Sequence, residues 1–375
     1  MLSTYLALFF FISCTNKNIK HQGKSKQSNS TFKPAFNSAS VSWTKKTNLI
    51  VDSFYQNTIY NKGFSGQFLV AKNGHIIYQR VSGYANKESG WKMSDTTSIH
   101  VASISKVVTA MAILRLVDQK KVRLDEMVSF YLPKFPYTGI TIRMLLNHRS
   151  GLPYYGYFAE SLWPKEEPLR NSDVLALMSA HAVPVNYLPN TRFSYCNTNF
   201  VFLALVIEHL TKKDFPRAMK ELIFKPLEMN HSFILASKNE FNRHAQSYRT
   251  NGSRYDFTNL DAVYGDKNVY TTATDLVLFD NAIYTNFISD SLKTAMFKGY
   301  SYENPGTNNY GLGWRMKEQQ GMTPYFYHTA WWHGSTGIYA RLRKEKVTVI
   351  ALANNFCKQL YMISPLVSYF GNYPW

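Results

Sequence analysis

HVASISKVVTAMAILRLVDQKKVRLDEMVSFYLP, residues 100–133, decides the reading of this chain. From Ser103 to Asp118 it contains neither Gly nor Pro, and its apolar residues recur at helical spacing, which predicts a helix over 103–118. Ser103 and Lys106 stand three apart at the start of that helix, a spacing that puts both side chains on one face. A serine hydroxyl is a weak nucleophile and needs a base within reach. A lysine serves as that base if burial or neighbouring positive charge makes it give up its proton. The free N–H groups and partial positive charge of a helix N-terminus favour negative charge developing nearby.

The spacing alone is weak, because Ser-x-x-Lys also occurs at Ser30/Lys33, Ser42/Lys45 and Ser89/Lys92. Only Ser103 opens a long apolar helix. A second candidate is Tyr195-Cys196-Asn197, in which a phenol relays protons and an amide orients a lysine and a substrate amide. Tyr-x-Asn recurs at Tyr55/Asn57, Tyr84/Asn86 and Tyr302/Asn304, so it too carries little weight by itself. The third candidate is His328-Thr329-Ala330, on a predicted strand running into Trp331-Trp332. A strand His beside a hydroxyl can bind a carboxylate or assist a proton relay, although a lone strand His is more often a packing residue. His148, in LNHRSG, reads as a hydrogen-bonding loop anchor, and Cys196 as a small buried filler.

Working outward, residues 49–60 read as an amphipathic helix. Residues 66–71 and 75–80 read as strands, and Asn73-Gly74 between them signals a hairpin. Thr141 is placed to cap a short helix over 142–148, and 197–211 and 215–224 look like two more. Strands are expected at 324–331, 337–342 and 347–353, with a covering helix within 359–370. Strands at both ends and helices between predict an α+β fold: an antiparallel sheet built from both chain ends, flanked by helices, with a large helical insertion.

Residues 5–12 (YLALFFFI) are too short an apolar run to span a bilayer, which takes about 20 residues. They suit the apolar region of a signal peptide, and the Ser13-Cys14 that follows resembles a lipoprotein processing site with Cys14 as the lipidated residue. An ordinary secretory signal is the alternative, since residues 2–4 lack Lys and Arg. Residues 15–46, rich in Lys, Ser and Asn, are expected to form a flexible tether, with the folded domain over 47–375. The expected location is therefore periplasmic or cell-surface, held to a membrane through the lipid. The formal net charge of +18 favours anionic partners. No nucleic-acid-binding signature accompanies it, so no specific nucleic-acid partner is expected. Three cysteines in no pairing or Cys/His pattern suggest neither a disulfide framework nor a metal site.

Taken in order, the three motifs and their surroundings resemble the penicillin-binding-protein and class C β-lactamase-related serine hydrolases. The resemblance rests on residues 100–133 and on TIRMLLNHRSGLP (141–153), FSYCNTNFVFLALVIEHLTKK (193–213), FKPLEMNHSF (224–233), GDKNVYTTATDLVLFDNAI (265–283) and YGLGWRM (310–316). It implies an acyl-enzyme on Ser103, with Lys106 as activator, Tyr195 as general base, and Asn197 positioning Lys106 and the substrate amide. It implies an oxyanion hole from the backbone N–H groups of Ser103 and Trp331, with His328, Thr329 and Ala330 along the substrate strand. Ala330 departs from the glycine usual there, which narrows the expected cleft. A competing register places the third motif at His333-Gly334-Ser335. No metal or cofactor is implied. The implied substrate is a small molecule or a peptidoglycan fragment: a D-alanyl peptide, a β-lactam or a small ester. The rival is a catalytically silent surface lipoprotein that keeps the fold as a binding module.

Overall fold

The computed structural model describes residues 33–164, 166–235 and 244–374. The expected signal segment, Cys14 and most of the expected tether lie outside these residues.

A seven-stranded antiparallel sheet organises the domain. Its strands are β1 (Gly66–Lys72), β2 (His75–Ser82), β3 (Asn308–Tyr310), β4 (Arg315–Lys317), β5 (Tyr325–Trp332), β6 (Ser335–Leu342) and β7 (Val347–Ala353). They lie in the order β2-β1-β7-β6-β5-β4-β3. Both chain ends meet in the sheet where β1 pairs with β7, Leu69 opposite Ile350. The β1–β2 hairpin turns at Asn73 (φ 57°) and Gly74 (φ 81°), the left-handed pair that a two-residue turn of this hand requires.

One face of the sheet is covered by α1 (Val41–Phe54) and the C-terminal helix α5 (Ser364–Phe370), with Val51, Phe68, Val349 and Val367 among the buried residues. The other face packs on α4 (Ala273–Ala282) and the helical region, where α2 (Ser105–Asp118) and α3 (Thr198–Thr211) run side by side. Helix α2 is buried on nearly all sides, which is why its sequence is apolar all round. Asp280 of α4 meets Arg341 of β6 in the interior, and also accepts from Tyr339 Oη at 2.7 Å and Thr348 Oγ1 at 2.8 Å.

Two expectations need correction. Residues 33–46 were assigned to the tether, but α1 begins at Val41, with the Ser40 hydroxyl accepting from Trp43 N–H as an N-cap. Upstream, Phe36 packs edge-on against Tyr284 at 5.1 Å. The helix expected over 49–60 passes into a π-helical turn at Tyr55–Ile59 and a 3-10 turn at Tyr60–Lys62. Strands β3 and β4 were not anticipated, as each is only three residues long. Among the described residues, no helix is long and apolar enough to cross a membrane.

Candidate active site

Ser103 sits in a 3-10 turn (Ala102–Ile104) that feeds α2. The preceding Ala102 holds φ at 41°, a left-handed conformation uncommon for a residue with a Cβ. Helix α2 carries Lys106 one turn on, fully buried, and its Nζ donates to Ser103 Oγ at 3.0 Å and to the Asp266 carbonyl at 2.8 Å. The ammonium lies 5.1 Å from the centre of the Tyr195 ring and 5.8 Å from that of Phe200. The other Ser-x-x-Lys matches within the described residues fall on exposed segments, Ser42/Lys45 on α1 and Ser89/Lys92 beside a hairpin turn.

Tyr195 and Asn197 lead into α3, with Asn197 at its N-cap position. Cys196 between them is buried, its side chain in the core. Tyr195 Oη and Asn197 Oδ1 are both buried and meet no partner in the protein. Buried polar atoms are nearly always satisfied, so a pair left open beside a Ser–Lys couple marks a place for an outside group. A groove of about 320 Å³ adjoins them, lined by Leu152, Tyr154, Tyr157, Tyr195 and Asn197 among others. Two larger cavities, near Phe257 and Arg217, share no lining residue with this site. Asn197 was expected to orient Lys106, yet the second partner of Lys106 is the Asp266 carbonyl.

Strand β5 packs against the Ser103 turn. Its partner β6 pairs with it throughout Phe326–Trp332, while β4 pairs only with Tyr325–Tyr327. The edge from His328 to Trp332 is therefore left open by the sheet, and Trp331 lies on it. A free strand edge facing a helix-entry turn is the arrangement an oxyanion hole needs. Thr329 is half-buried, Trp331 is 63% exposed, and Ala330 is buried with its carbonyl accepting from Tyr361 Oη at 2.7 Å. The competing register falls in the β5–β6 turn, where His333 (φ 50°) binds Asp261 at 3.0 Å and a Cβ on Gly334 would strike the Tyr248 carbonyl at 2.1 Å.

His328 lies in a buried chain of hydrogen bonds. His148 Nδ1 accepts from the Cys196 N–H at 3.1 Å and lies 3.0 Å from the Asn199 amide nitrogen. Its proton is therefore on Nε2, which points at Tyr310 Oη at 3.3 Å. Tyr310 in turn donates to His328 Nε2 at 3.2 Å, and His328 Nδ1–H donates to the Thr329 carbonyl at 2.8 Å. Every donor and acceptor in this buried chain is used. Burial, then the Arg315 and Lys106 charges, hold His328 well below the usual histidine range. Burial, then the charges of Lys106 and Arg315, do the same to His148. His328 is thus a neutral, satisfied support of the strand. His148 anchors its loop and packs on Tyr195, with ring centres 4.4 Å apart.

Several residues at the site were not singled out as candidates, although the stretches that hold them carry the resemblance. Arg315, on β4, lays its guanidinium 4.6 Å from the Tyr195 ring centre. Asp266 and Lys267, in a polar stretch that reads as a solvated loop, are almost fully buried beside Lys106. Ser105 and Thr109 pin that stretch to α2, accepting from Val269 N–H at 3.0 Å and donating to the Gly265 carbonyl at 2.8 Å. A Cβ on Gly265 (φ 96°) would stand 2.3 Å from the Phe200 carbonyl, so only glycine permits this approach. Among the described residues, no cluster of three or more His, Cys, Asp or Glu could hold a metal.

A buried Ser–Lys couple at a helix entry thus faces an open strand edge of an antiparallel sheet, in a domain of α+β architecture. The chain belongs to the Beta-lactamase family, whose model matches residues 60–358. It is 30% identical over 312 residues to Penicillin-binding protein 4* of Bacillus subtilis, covering 78% of this chain and 68% of the relative. It is 29% identical over 210 residues to Protein flp of Staphylococcus aureus, covering 54% of this chain and 41% of that protein. A penicillin-binding protein from Bacillus halodurans superposes with a TM-score of 0.75 at 25% identity, covering 84% of this chain and 98% of that one. EstCE1, described as a hydrolase with promiscuous acyltransferase activity, shares the fold at a TM-score of 0.70 and 20% identity, covering 86% and 97%.

Proposed function

We propose that this chain is a serine hydrolase that forms an acyl-enzyme on Ser103, acting on an amide or ester such as a D-alanyl peptide, a β-lactam or a small ester. The observation that carries the reading is the 3.0 Å contact of Lys106 Nζ with Ser103 Oγ, beside the unpartnered Tyr195 Oη and Asn197 Oδ1. In acylation, Ser103 Oγ bonds to the substrate carbonyl carbon as its proton passes to the Lys106–Tyr195 side. The carbonyl oxygen takes negative charge, met by N–H groups of the Ser103 turn and the β5 edge. The bond to nitrogen or oxygen then breaks and the leaving group takes up the proton. Water repeats the sequence on the acyl carbonyl and frees Ser103. Asn197 Oδ1 is an acceptor available to a substrate N–H. Ala330 and the half-buried Thr329 bound the β5 side of the cleft.

Labelling with a fluorescent fluorophosphonate and a fluorescent penicillin, read by intact mass and peptide mapping, tests the reading. The expected adduct maps to Ser103 and vanishes in Ser103→Ala. A persistent penicillin adduct points to a peptidase, rapid clearance to a lactamase, and a fluorophosphonate adduct alone to an esterase. A folded protein that takes neither label overturns the hydrolase reading in favour of a binding module.

Export and anchoring through a lipid on Cys14 form part of this proposal, supported by the apolar run and small-residue–Cys ending of residues 5–14. Radiolabelled palmitate should enter the full chain in a bacterial host and be lost in Cys14→Ser.

A further inference from the structure

Two lysines, not one, are buried at this site. Lys106 ends on two neutral oxygens, the Ser103 hydroxyl and the Asp266 carbonyl. Lys267 is also buried; its Nζ donates to Tyr155 Oη at 2.6 Å, lies 3.7 Å from Asp266 Oδ1, and sits 4.9 Å from the Trp332 ring centre. Tyr155 Oη donates in turn to Asp266 Oδ2 at 3.2 Å. One residue therefore touches both ammonium groups, by its carbonyl on Lys106 and by its carboxylate beside Lys267. The pinning of this loop by Ser105, Thr109 and Gly265 fixes both charges relative to Ser103.

The groups facing Lys106 come from every wall of the site. Tyr195, Cys196 and His148 lie on one side, His328 on β5, Arg315 on β4, and Asp266 and Lys267 on the loop. The two histidines are held neutral by their hydrogen-bonded chain. The charges left to act on the Ser–Lys couple are those of Arg315, Asp266 and Lys267. Charges buried around one residue act on one another more strongly than they would in water.

We propose that Lys267 and Asp266 are a positioning pair that sets the pH at which Ser103 becomes reactive, their opposite charges acting in opposite senses on the Ser103–Lys106 couple that Asp266 touches. Neither residue touches the reacting atoms through its side chain. The inference rests on the Ser103–Lys106 reading above.

The test measures the rate of Ser103 labelling by a neutral fluorophosphonate on the full chain across about pH 5 to 10, where the acid limb reports loss of the activating proton. Lys267→Met should move that limb to higher pH by about one unit, and Asp266→Asn should move it to lower pH by a similar amount. Lys267→Arg, which keeps the charge, should leave it in place. Limbs that stay fixed, or that move the same way in both variants while labelling persists, overturn the pair's role. If Lys267→Met fails to fold by thermal melting, Asp266→Asn decides alone, and a limb unmoved or raised refutes the proposal. A wild type that takes no label at Ser103 removes the hydrolase reading and this inference together, a result distinct from labelling without a shift.

Discussion

Because Tyr195 Oη is buried without a partner, Tyr195→Phe removes no hydrogen bond from the folded protein. The substitution should leave thermal stability unchanged or slightly raised, since an unsatisfied buried hydroxyl is unfavourable. Ser103 labelling and any turnover should nevertheless fall by about 10²–10⁴-fold, the usual contribution of a positioned proton-transfer group. Parallel melting curves and labelling rates check both halves. Buried histidines supply a second prediction. His100, fully enclosed and accepting from Asn268 N–H at 3.2 Å, is pushed down to about 3 by burial, against an ordinary 6.5. It stays neutral in the native state while the unfolded chain binds its proton near the ordinary value. The stability due to this difference is complete above pH 6.5 and is lost as pH falls from there toward 3. His244, held at about 4 by burial, acts in the same sense. The urea midpoint should therefore drop between about pH 6.5 and 4, and drop less steeply in His100→Gln.

At the scale of elements, α4 is tied to the sheet by the Asp280–Arg341 pair. Both groups lie in the interior, so removing one strands the other charge without a partner. Asp280→Ala should lower the free energy of unfolding by about 3–5 kcal/mol, read from urea denaturation. These ties also separate what sequence makes legible from what it does not. The Asn73-Gly74 turn, the Thr141 cap and the helix from Ser105 are written in local chemistry, and the expectations fall within a few residues of the structure. The start of α1 escaped notice because Lys45 and Lys46 sit on its exposed side and made the segment resemble the polar stretch before it. In the site, Ser103 and Lys106 share one helix, so their spacing brings them together. Lys267 and Arg315 reach the same place only through tertiary closure, and a lysine in GDKN looks solvated until Thr109 and Ser105 draw the loop in. The contact of His328 with Tyr310 is of the same kind, since Tyr310 lies on another strand.

At the scale of the whole domain, α1 and α5 pack on each other. Thr47 of α1 faces Tyr369 of α5, their hydroxyls 3.3 Å apart, and Trp43 packs on Phe370 at 6.5 Å. A chain starting at residue 41 should retain the cooperative thermal transition of the full protein. One starting at residue 63 should lose it or aggregate, because the apolar sheet face under Val51, Tyr55 and Ile59 would be opened to water. Circular dichroism melts of the two truncations check this.

The pairing of β1 with β7 has a consequence for biosynthesis. Leu69 must find Ile350, made about 280 residues later, so the sheet cannot knit together from the ribosome outward. Until residues 347–353 exist, the hairpin of β1 and β2 is a two-stranded ribbon whose β1 edge leaves its backbone N–H and C=O groups unpaired, a template for pairing with another chain. The sheet of this domain should therefore be completed only after residues 347–353 have been made.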